Sequence, residues 1–179
     1  MSKAVMISIR PRWCELIAAG EKTMEVRKTR PKLETPFKVY VYCTKPRFEH
    51  EDFFAPVGKQ CFYGGGKIIG EFVCDRIDWL ARVGFTRRGG EPEYRIANNG
   101  DWKSPIGRLL EEACLTEEEI NAYLGGNPGF GWHISDLKIY DKPRGLSEWT
   151  GLRFTRFGAE PVVIKHPPQS WFYVEELRT

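Results

Sequence analysis

The stretch "ISIRPRWCELIAAGEKTMEVR", Ile7 to Arg27, decides the fold of this chain. It begins inside the β-rich run Ala4 to Ile9, and Pro11 then suits the first turn of a helix that continues through "RWCELIAA". Gly20 ends that helix, since glycine readily takes the backbone conformation that follows a helix C-terminus. The run Lys22 to Thr29 is typical of a strand. The stretch therefore predicts a strand, a helix and a second strand in close succession.

The second strand carries an unusual density of charge. Alternation places Glu25 and Arg27 on one face of the strand and Met24 and Val26 on the other, with Lys22 at the strand entry. Glu25 and Arg27 are then about 7 Å apart along the strand, a spacing that suits bracketing a ligand better than direct contact. The alternative is an exposed strand face of mixed charge, which contributes little to stability.

Four further strands and two further helices are predicted along the rest of the chain. The strands cover Phe37 to Thr44, Gly64 to Leu80, Gly131 to Tyr140 and Ser170 to Leu177. Ser104 and Pro105 suit the cap and first position of one helix. Thr116 and Glu119 have capping-box spacing for the other, which Gly125 ends. Short strands with few crossover helices indicate an α+β fold, a small and mostly antiparallel β-barrel flanked by helices.

The length of 179 residues predicts one domain over 1–179, with insertions at about 45–63 and 82–124. Residues 45–63 mix charged, aromatic and proline residues without a period, which is typical of a long loop. Residues 82–103 are polar and rich in arginine, and we expect a surface excursion there. We therefore expect a single hydrophobic core, to which the two insertions are added.

Composition excludes several classes of protein. No run approaches the roughly 18 apolar residues of a membrane span, and "MSKAVMISIRP" lacks the apolar region of a secretory signal, so we expect a cytoplasmic protein with no membrane partner. The five cysteines are scattered through apolar contexts and are expected to be mostly buried thiols. No C-x-x-C pair or close histidine pair supports a metal site, and we expect no metal and no cofactor.

The order of strand, helix, glycine and G-x-K-x-x-E-x-R in 7–27, with the closing strand "PPQSWFYVEEL" (Pro167 to Leu177), resembles the ASCH family, a branch of the PUA-like superfamily. The resemblance covers about the first forty residues, the strand at 66–75 and the last strand, and does not extend to the two insertions. It implies a PUA-like β-barrel of five or six strands with flanking helices. It also implies a cleft beside the G-x-K-x-x-E-x-R segment.

The resemblance further implies a ligand that is RNA, a nucleotide or a modified nucleobase. Some small members look like amidohydrolases that remove an acyl group from N4-acetylcytidine with a lysine, a threonine and a glutamate. Lys22 matches that lysine, whereas Glu25 stands where those enzymes have the threonine. If the chain is an enzyme, Lys22 and Glu25 are the candidate catalytic residues of an amidohydrolase or a ribonuclease. A non-catalytic protein-interaction or regulatory domain is the remaining alternative, and the sequence leaves the oligomeric state open.

In the binding interpretation each charged residue has a task. Arg27 can pair with a phosphate or a guanine edge, Glu25 can accept from an exocyclic amine, and Lys22 can neutralise phosphate. A tryptophan can stack on a base. The candidate ligand-binding residues are Ser8, Arg10, Trp13, Lys22, Glu25, Arg27 and Trp171. A second group of basic residues either forms a patch that contacts a nucleic-acid backbone or belongs to a solvated loop. Its members are Arg82, Arg87, Arg88, Lys103 and Arg108.

Overall fold

The computed structural model describes residues 2–46, 54–57, 60–84, 92–98 and 104–177, and of 54–57 and 60–63 the backbone alone. Its strands are β1 Lys3–Ile9, β2 Met24–Arg27, β3 Phe37–Cys43, β4 Phe54–Val57, β5 Gln60–Tyr63, β6 Lys67–Cys74, β7 Ile77–Val83, β8 Glu93–Ile96, β9 Ser104–Pro105, β10 Gly129–His133, β11 Ser135–Arg144, β12 Thr150–Thr155, β13 Gly158–Val163 and β14 Trp171–Glu175. Its helices are α1 Pro11–Ala18, α2 Gly107–Ala113 and α3 Glu117–Leu124, with a 3₁₀ turn at Leu146–Glu148. Among the described residues, no helix is both long enough and apolar enough to cross a bilayer.

The strands form two main sheets. Seven strands follow the order β11-β6-β3-β1-β14-β12-β13, five follow β2-β10-β7-β8-β9, and β4 pairs with β5 as a hairpin. The β1–β3 pair is parallel, whereas the other pairs among the described strands are antiparallel. The predicted α+β, mostly antiparallel architecture is confirmed. The resemblance implied one β-barrel. Among the described strands, the hydrogen-bonded pairs instead form these two separate sheets, and no pairing between them closes a barrel.

Strand β3 shows how alternation builds the core. Val39 and Val41 face a central cluster, and Tyr40 and Tyr42 face the opposite side of the same sheet. Both faces of β3 are covered, as are both faces of the neighbouring β1. The central cluster also takes residues from β1, α1, β6 and β10, among them Ile7, Ile9, Cys14, Ile17, Phe72 and Trp132.

Helix α1 begins as predicted, with Pro11 in its first turn. Cys14 and Ile17 share its buried face, and Gly20 at φ +76° turns the chain out of the helix. A residue with a Cβ would be strained at that backbone angle. The chain can therefore leave α1 and enter β2 within a few residues, which places Lys22 beside the helix it has just left.

The predicted start of α2 is wrong. Ser104 and Pro105 do not cap the helix but form β9, paired with Ile96 and Arg95 of β8, and the helix begins at Gly107. The pairing with β8 fixes these two residues in an extended conformation, which competes with the cap. The predicted capping box of α3 is confirmed, because Thr116 accepts from the Glu119 backbone N–H while the Glu119 carboxylate accepts from the Thr116 N–H.

Two predicted strands are each divided into two. The run 64–80 becomes β6 and β7, separated at Asp75 and Arg76, and the run 131–140 becomes β10 and β11, separated at Ile134. The divisions lie side by side, since the His133 N–H donates to the Arg76 carbonyl at 3.0 Å. Each break lets the chain pass from one sheet to the other. The sequence patterns show continuous β propensity across these points and so do not reveal the change of sheet.

Other strands were not predicted. The expected loop at 45–63 includes the hairpin β4–β5, the excursion at 82–103 includes β8, and the proline-containing segment before β14 includes the hairpin β12–β13. Gly158 at φ +124° lies at the turn of that last hairpin. The remaining parts of the two excursions, 47–53, 58–59, 85–91 and 99–103, lie outside the described residues.

Candidate ligand-binding site

Lys22, Glu25 and Arg27 form one buried charged cluster. The Glu25 carboxylate lies 3.5 Å from the Lys22 ammonium and 3.0 Å from the Arg27 guanidinium. The three side chains are only 2%, 9% and 11% exposed. The interpretation of this strand as an exposed charged face is therefore wrong. The expectation that Glu25 and Arg27 are too far apart for contact is also wrong, because their long side chains close the gap that the backbone spacing leaves.

The opposite face of β2 explains how the cluster is held in place. Met24 and Val26 belong to a second apolar cluster that β2 shares with α2 and α3. Their burial confirms the predicted alternation and fixes the rotation of the strand. Glu25 and Arg27 must then point to the other face, where their strand-pair partners on β10 are Trp132 and Phe130. The sheet register thus aims both charges toward the central core.

Lys22 has partners on two sides. Its ammonium donates to the Ala113 carbonyl at the end of α2, at 2.6 Å, and lies 5.0 Å from the centre of the Trp13 ring on α1. Burial lowers the pKa of Lys22, and the adjacent Glu25 carboxylate acts in the opposite direction. The lysine is therefore a buried cation whose proton is held less firmly than that of a surface lysine.

The Arg27 guanidinium does not have a partner for every hydrogen-bond donor. One of its terminal nitrogens donates to the Ser8 carbonyl at 2.5 Å and the same nitrogen contacts Glu25. Its Nε is buried and has no hydrogen-bond partner among the described residues. A buried N–H without an acceptor is costly, so this donor is available to an incoming oxygen.

Tyr123 of α3 lies at the edge of the cluster, and no pattern in the sequence indicates this position. Burial raises the pKa of its phenol, and the nearby Arg27 guanidinium acts in the opposite direction. The residue is 40% exposed, and the Lys28 ammonium lies 5.2 Å from the centre of its ring. Tyr123 therefore stands between the buried charges and the solvent. The capping box locates α3 in the sequence, but not the surface against which the helix docks.

The remaining predicted site residues differ in their relation to the cluster. Trp13 lies beside Lys22. The Ser8 carbonyl accepts a hydrogen bond from Arg27, while the Ser8 hydroxyl donates to the Pro168 carbonyl at 2.6 Å. Arg10 is exposed at the start of α1. Trp171 packs on Trp132 with ring centres 6.0 Å apart, and its indole N–H donates to a threonine hydroxyl at 2.9 Å. Trp171 is thus one layer removed from the charges.

Cys14 lies under the cluster on the buried face of α1. Burial raises the pKa of its thiol well above the ordinary value, and the nearby Cys43 and Glu25 act in the same direction. Cys43 and Cys74 are buried too, whereas Cys114 is partly exposed. The predicted burial of most cysteines is confirmed for the described thiols, and the Cys61 side chain lies outside them. Cys14 therefore behaves as an uncharged, space-filling residue.

The second basic group is not brought together by the described residues. Arg108 forms a helical ion pair with Glu112 at 2.9 Å, and Arg82 lies beside Gly126. The expected partners Arg87, Arg88 and Lys103 lie outside the described residues. Among the side chains that are described, no three His, Cys, Asp or Glu residues are grouped as ligands for a metal ion.

Comparison with solved structures identifies the fold. A serine-to-alanine variant of ZmASCH from Zymomonas mobilis superimposes with a TM-score of 0.59 at 18% identity, over 97% of this chain and 89% of that one. ASCH from the same organism gives a TM-score of 0.53 at 17% identity, over 97% and 88% of the two chains. No family model and no curated protein matches the sequence. The chain therefore has the fold of the ASCH domain, as the order of elements in 7–27 predicts.

Proposed function

We propose that the chain binds RNA or a nucleotide-like ligand at the cluster of Lys22, Glu25 and Arg27. The observation that carries the proposal is the incomplete pairing of this cluster, in which two cations share one carboxylate and the buried Nε of Arg27 lacks an acceptor. Burying such a group for stability alone is unfavourable, because apolar residues of similar volume fill the same space at lower cost. A buried lysine whose pKa is lowered by desolvation, as Lys22 is, is also typical of functional sites.

The chemistry of the cluster suits a nucleobase or a phosphate. The site carries a net positive charge, and the Arg27 guanidinium offers planar N–H groups to a carbonyl or phosphate oxygen. Glu25 retains acceptor capacity for an exocyclic amine. Tyr123 supplies an aromatic face at the entrance, where a base can stack. The ligand satisfies the Arg27 Nε donor that the free protein leaves unpaired.

Titration calorimetry with AMP, CMP, GMP and UMP, together with a mixed-sequence RNA, tests the proposal. We expect binding of at least one of these probes, weakened tenfold or more by Glu25→Gln and by Arg27→Ala. Lys138→Ala, an exposed charge on β11, is the matched control and is expected to leave affinity unchanged. Equal affinity of all these proteins for every probe, or no binding at all, would contradict the proposal.

A hydrolase is the second candidate, favoured by the lowered pKa of Lys22. A lysine that gives up its proton more readily is better suited to acid–base or nucleophilic work beside a carboxylate. In this case the purified protein releases acetate from N4-acetylcytidine or cleaves RNA, and Lys22→Ala abolishes that turnover. Binding without turnover of either substrate would contradict the hydrolase function and support the binding function.

A further inference from the structure

A groove of about 890 Å³ lies beside the charged cluster. One side is the segment 28–35, which continues directly from Arg27 at the end of β2, and the other includes Ile77 of β7 and Phe130 of β10. The segment is anchored from within, because Pro31 is buried, Leu33 packs on the central core and the Lys32 N–H donates to the Tyr173 hydroxyl at 2.7 Å. The groove therefore has a fixed wall.

The outward side chains of this wall are positively charged. Lys28, Arg30 and Lys32 are exposed, and no carboxylate among the described residues forms an ion pair with any of them. Among the described residues that line the groove, Glu34 is the one acid. Three cations along one groove, without a carboxylate partner among the described residues, favour a ligand with several negative charges, because each cation neutralises its own phosphate.

Aromatic residues follow the same path. Arg27, Phe130 and Trp79 stand directly opposite one another on β2, β10 and β7, and therefore on the same face of the sheet. The Arg30 guanidinium lies 5.8 Å from the centre of the Phe130 ring. Trp79, at the far end of the row, is 39% exposed. A row of this kind leads from the buried cluster through the groove to an accessible indole.

We propose that this groove binds the phosphate backbone of single-stranded RNA, with Trp79 stacking on a base beyond it. The proposal rests on the proposed function and narrows it, since the ligand becomes a strand of several nucleotides whose one base enters the cluster. Single-stranded nucleic acids are bound by grooves that combine cations along the backbone with aromatic faces for the bases. An acidic peptide matches the cations but leaves the aromatic row without a partner.

The test uses fluorescence anisotropy with a labelled single-stranded RNA of about ten nucleotides, within the usual site size of single-strand binders. The variant combines Lys28→Gln, Arg30→Gln and Lys32→Gln. We expect weaker binding and a slope of log K against log salt that is shallower by about 2, since each contact with a single strand contributes about 0.7. The matched control combines Lys138→Gln, Lys142→Gln and Lys165→Gln, which are exposed cations outside the groove.

Two single variants sharpen the result. Glu34→Gln removes the carboxylate that the described residues contribute to the lining and is expected to tighten RNA binding, which a general loss of folding cannot do. Trp79→Ala is expected to weaken RNA binding about tenfold. Its control is Phe157→Ala, at an exposed aromatic residue of the β12–β13 hairpin, which is expected to have no effect.

The groove proposal is overturned if the triple groove variant keeps the parent affinity and salt slope, or if an acidic decapeptide binds there and RNA does not. In the first case, loss of mononucleotide binding in Glu25→Gln still supports the proposed function. If instead the groove variant loses RNA binding while Glu25→Gln and Arg27→Ala do not, the groove is supported and the role of the cluster is wrong.

Discussion

The guanidinium of Arg27 lies 3.0 Å from the carboxylate of Glu25, although the two residues are next-nearest neighbours on one strand. Both side chains are almost completely buried, so the ion pair is shielded from water. Lys22 approaches the other carboxylate oxygen at 3.5 Å. One carboxylate thus keeps two buried cations together, and this relation sets the consequences of removing it.

Glu25→Gln is expected to lower the free energy of unfolding by about 3 kcal/mol, because it leaves two buried cations without their shared counter-charge. Urea unfolding followed by circular dichroism measures the change. The matched control is Glu148→Gln, which breaks the exposed helical-spacing pair with Arg144 and is expected to cost less than about 0.5 kcal/mol. A loss of similar size in both variants would contradict the burial argument.

Lys22 gives the stability of the protein a dependence on alkaline pH. Burial lowers its pKa in the folded protein below the ordinary 10.5, so the unfolded chain binds the extra proton over the interval between the two values. Stability therefore rises with pH across that interval as the penalty for a buried ammonium disappears. Lys22→Met lacks this contribution. The difference in unfolding free energy between the parent and Lys22→Met should change in favour of the parent as the pH approaches 10.5.

Tyr123 offers a test of its own at the entrance of the cluster. Tyr123→Ala removes the half-exposed ring and is expected to weaken nucleotide or RNA binding about tenfold, since stacking on a base contributes about 1–3 kcal/mol. Tyr123→Phe keeps the ring that can stack on a base and removes only the hydroxyl, so binding is expected to be retained. Calorimetry on both variants separates the roles of the ring and the hydroxyl. Equal losses would assign the effect to the hydroxyl instead.

The strand, helix and second strand of 7–27 could be predicted because their signals are local. Pro11 opens α1, Gly20 ends it, and the alternation of Met24 and Val26 sets the buried face of β2. These features depend only on neighbours along the chain. The direction in which Glu25 and Arg27 point follows from the same alternation.

The features that were missed depend on distant parts of the chain. The direct contact between Glu25 and Arg27 is made by their side chains inside the folded core, and Tyr123 comes near Arg27 only because α3 packs against β2. Ser104 and Pro105 have the residue types of a helix start, yet pairing with β8 overrides that preference. Local propensity cannot report such tertiary effects.

His133 and Asp75 form an ion pair that is expected to make the free energy of unfolding depend on pH in the acid range. Burial is the largest single influence and opposes ionisation of Asp75, but the hydrogen bond and charge of His133, with Nδ1 2.6 Å from Oδ1, together with weaker influences, lower the pKa of that carboxyl overall. The pair therefore stabilises the fold above the ordinary pKa near 3.8 and loses this effect as the pH falls through the folded value.

Asp75→Asn tests this pair. The variant should be less stable than the parent by under about 1 kcal/mol near neutral pH, because the carboxylate is partly exposed, and the difference should shrink below about pH 3. Thermal unfolding across the acid range measures it. A difference that stays constant down to the lowest pH would show that the carboxylate's charge is not responsible.

Gly70 lies where the backbones of β6 and β11 leave no room for a side chain. A Cβ at this position of β6 would overlap the Lys138 carbonyl oxygen and lie 3.1 Å from the Ile139 Cα on β11. Both atoms belong to a paired strand and cannot move independently, so Gly70→Ala is expected to destabilise the fold by about 2 kcal/mol.

Gly107→Ala is the matched control for that substitution. A Cβ on Gly107, the first residue of α2, meets no atom within 4 Å. Alanine also restricts the unfolded chain more than glycine does, so the variant is expected to gain about 0.5 kcal/mol. Urea unfolding of the two variants should therefore shift the midpoint in opposite directions. A shift of the Gly70→Ala midpoint as small as that of Gly107→Ala would mean that β11 can withdraw from β6 without loss of stability.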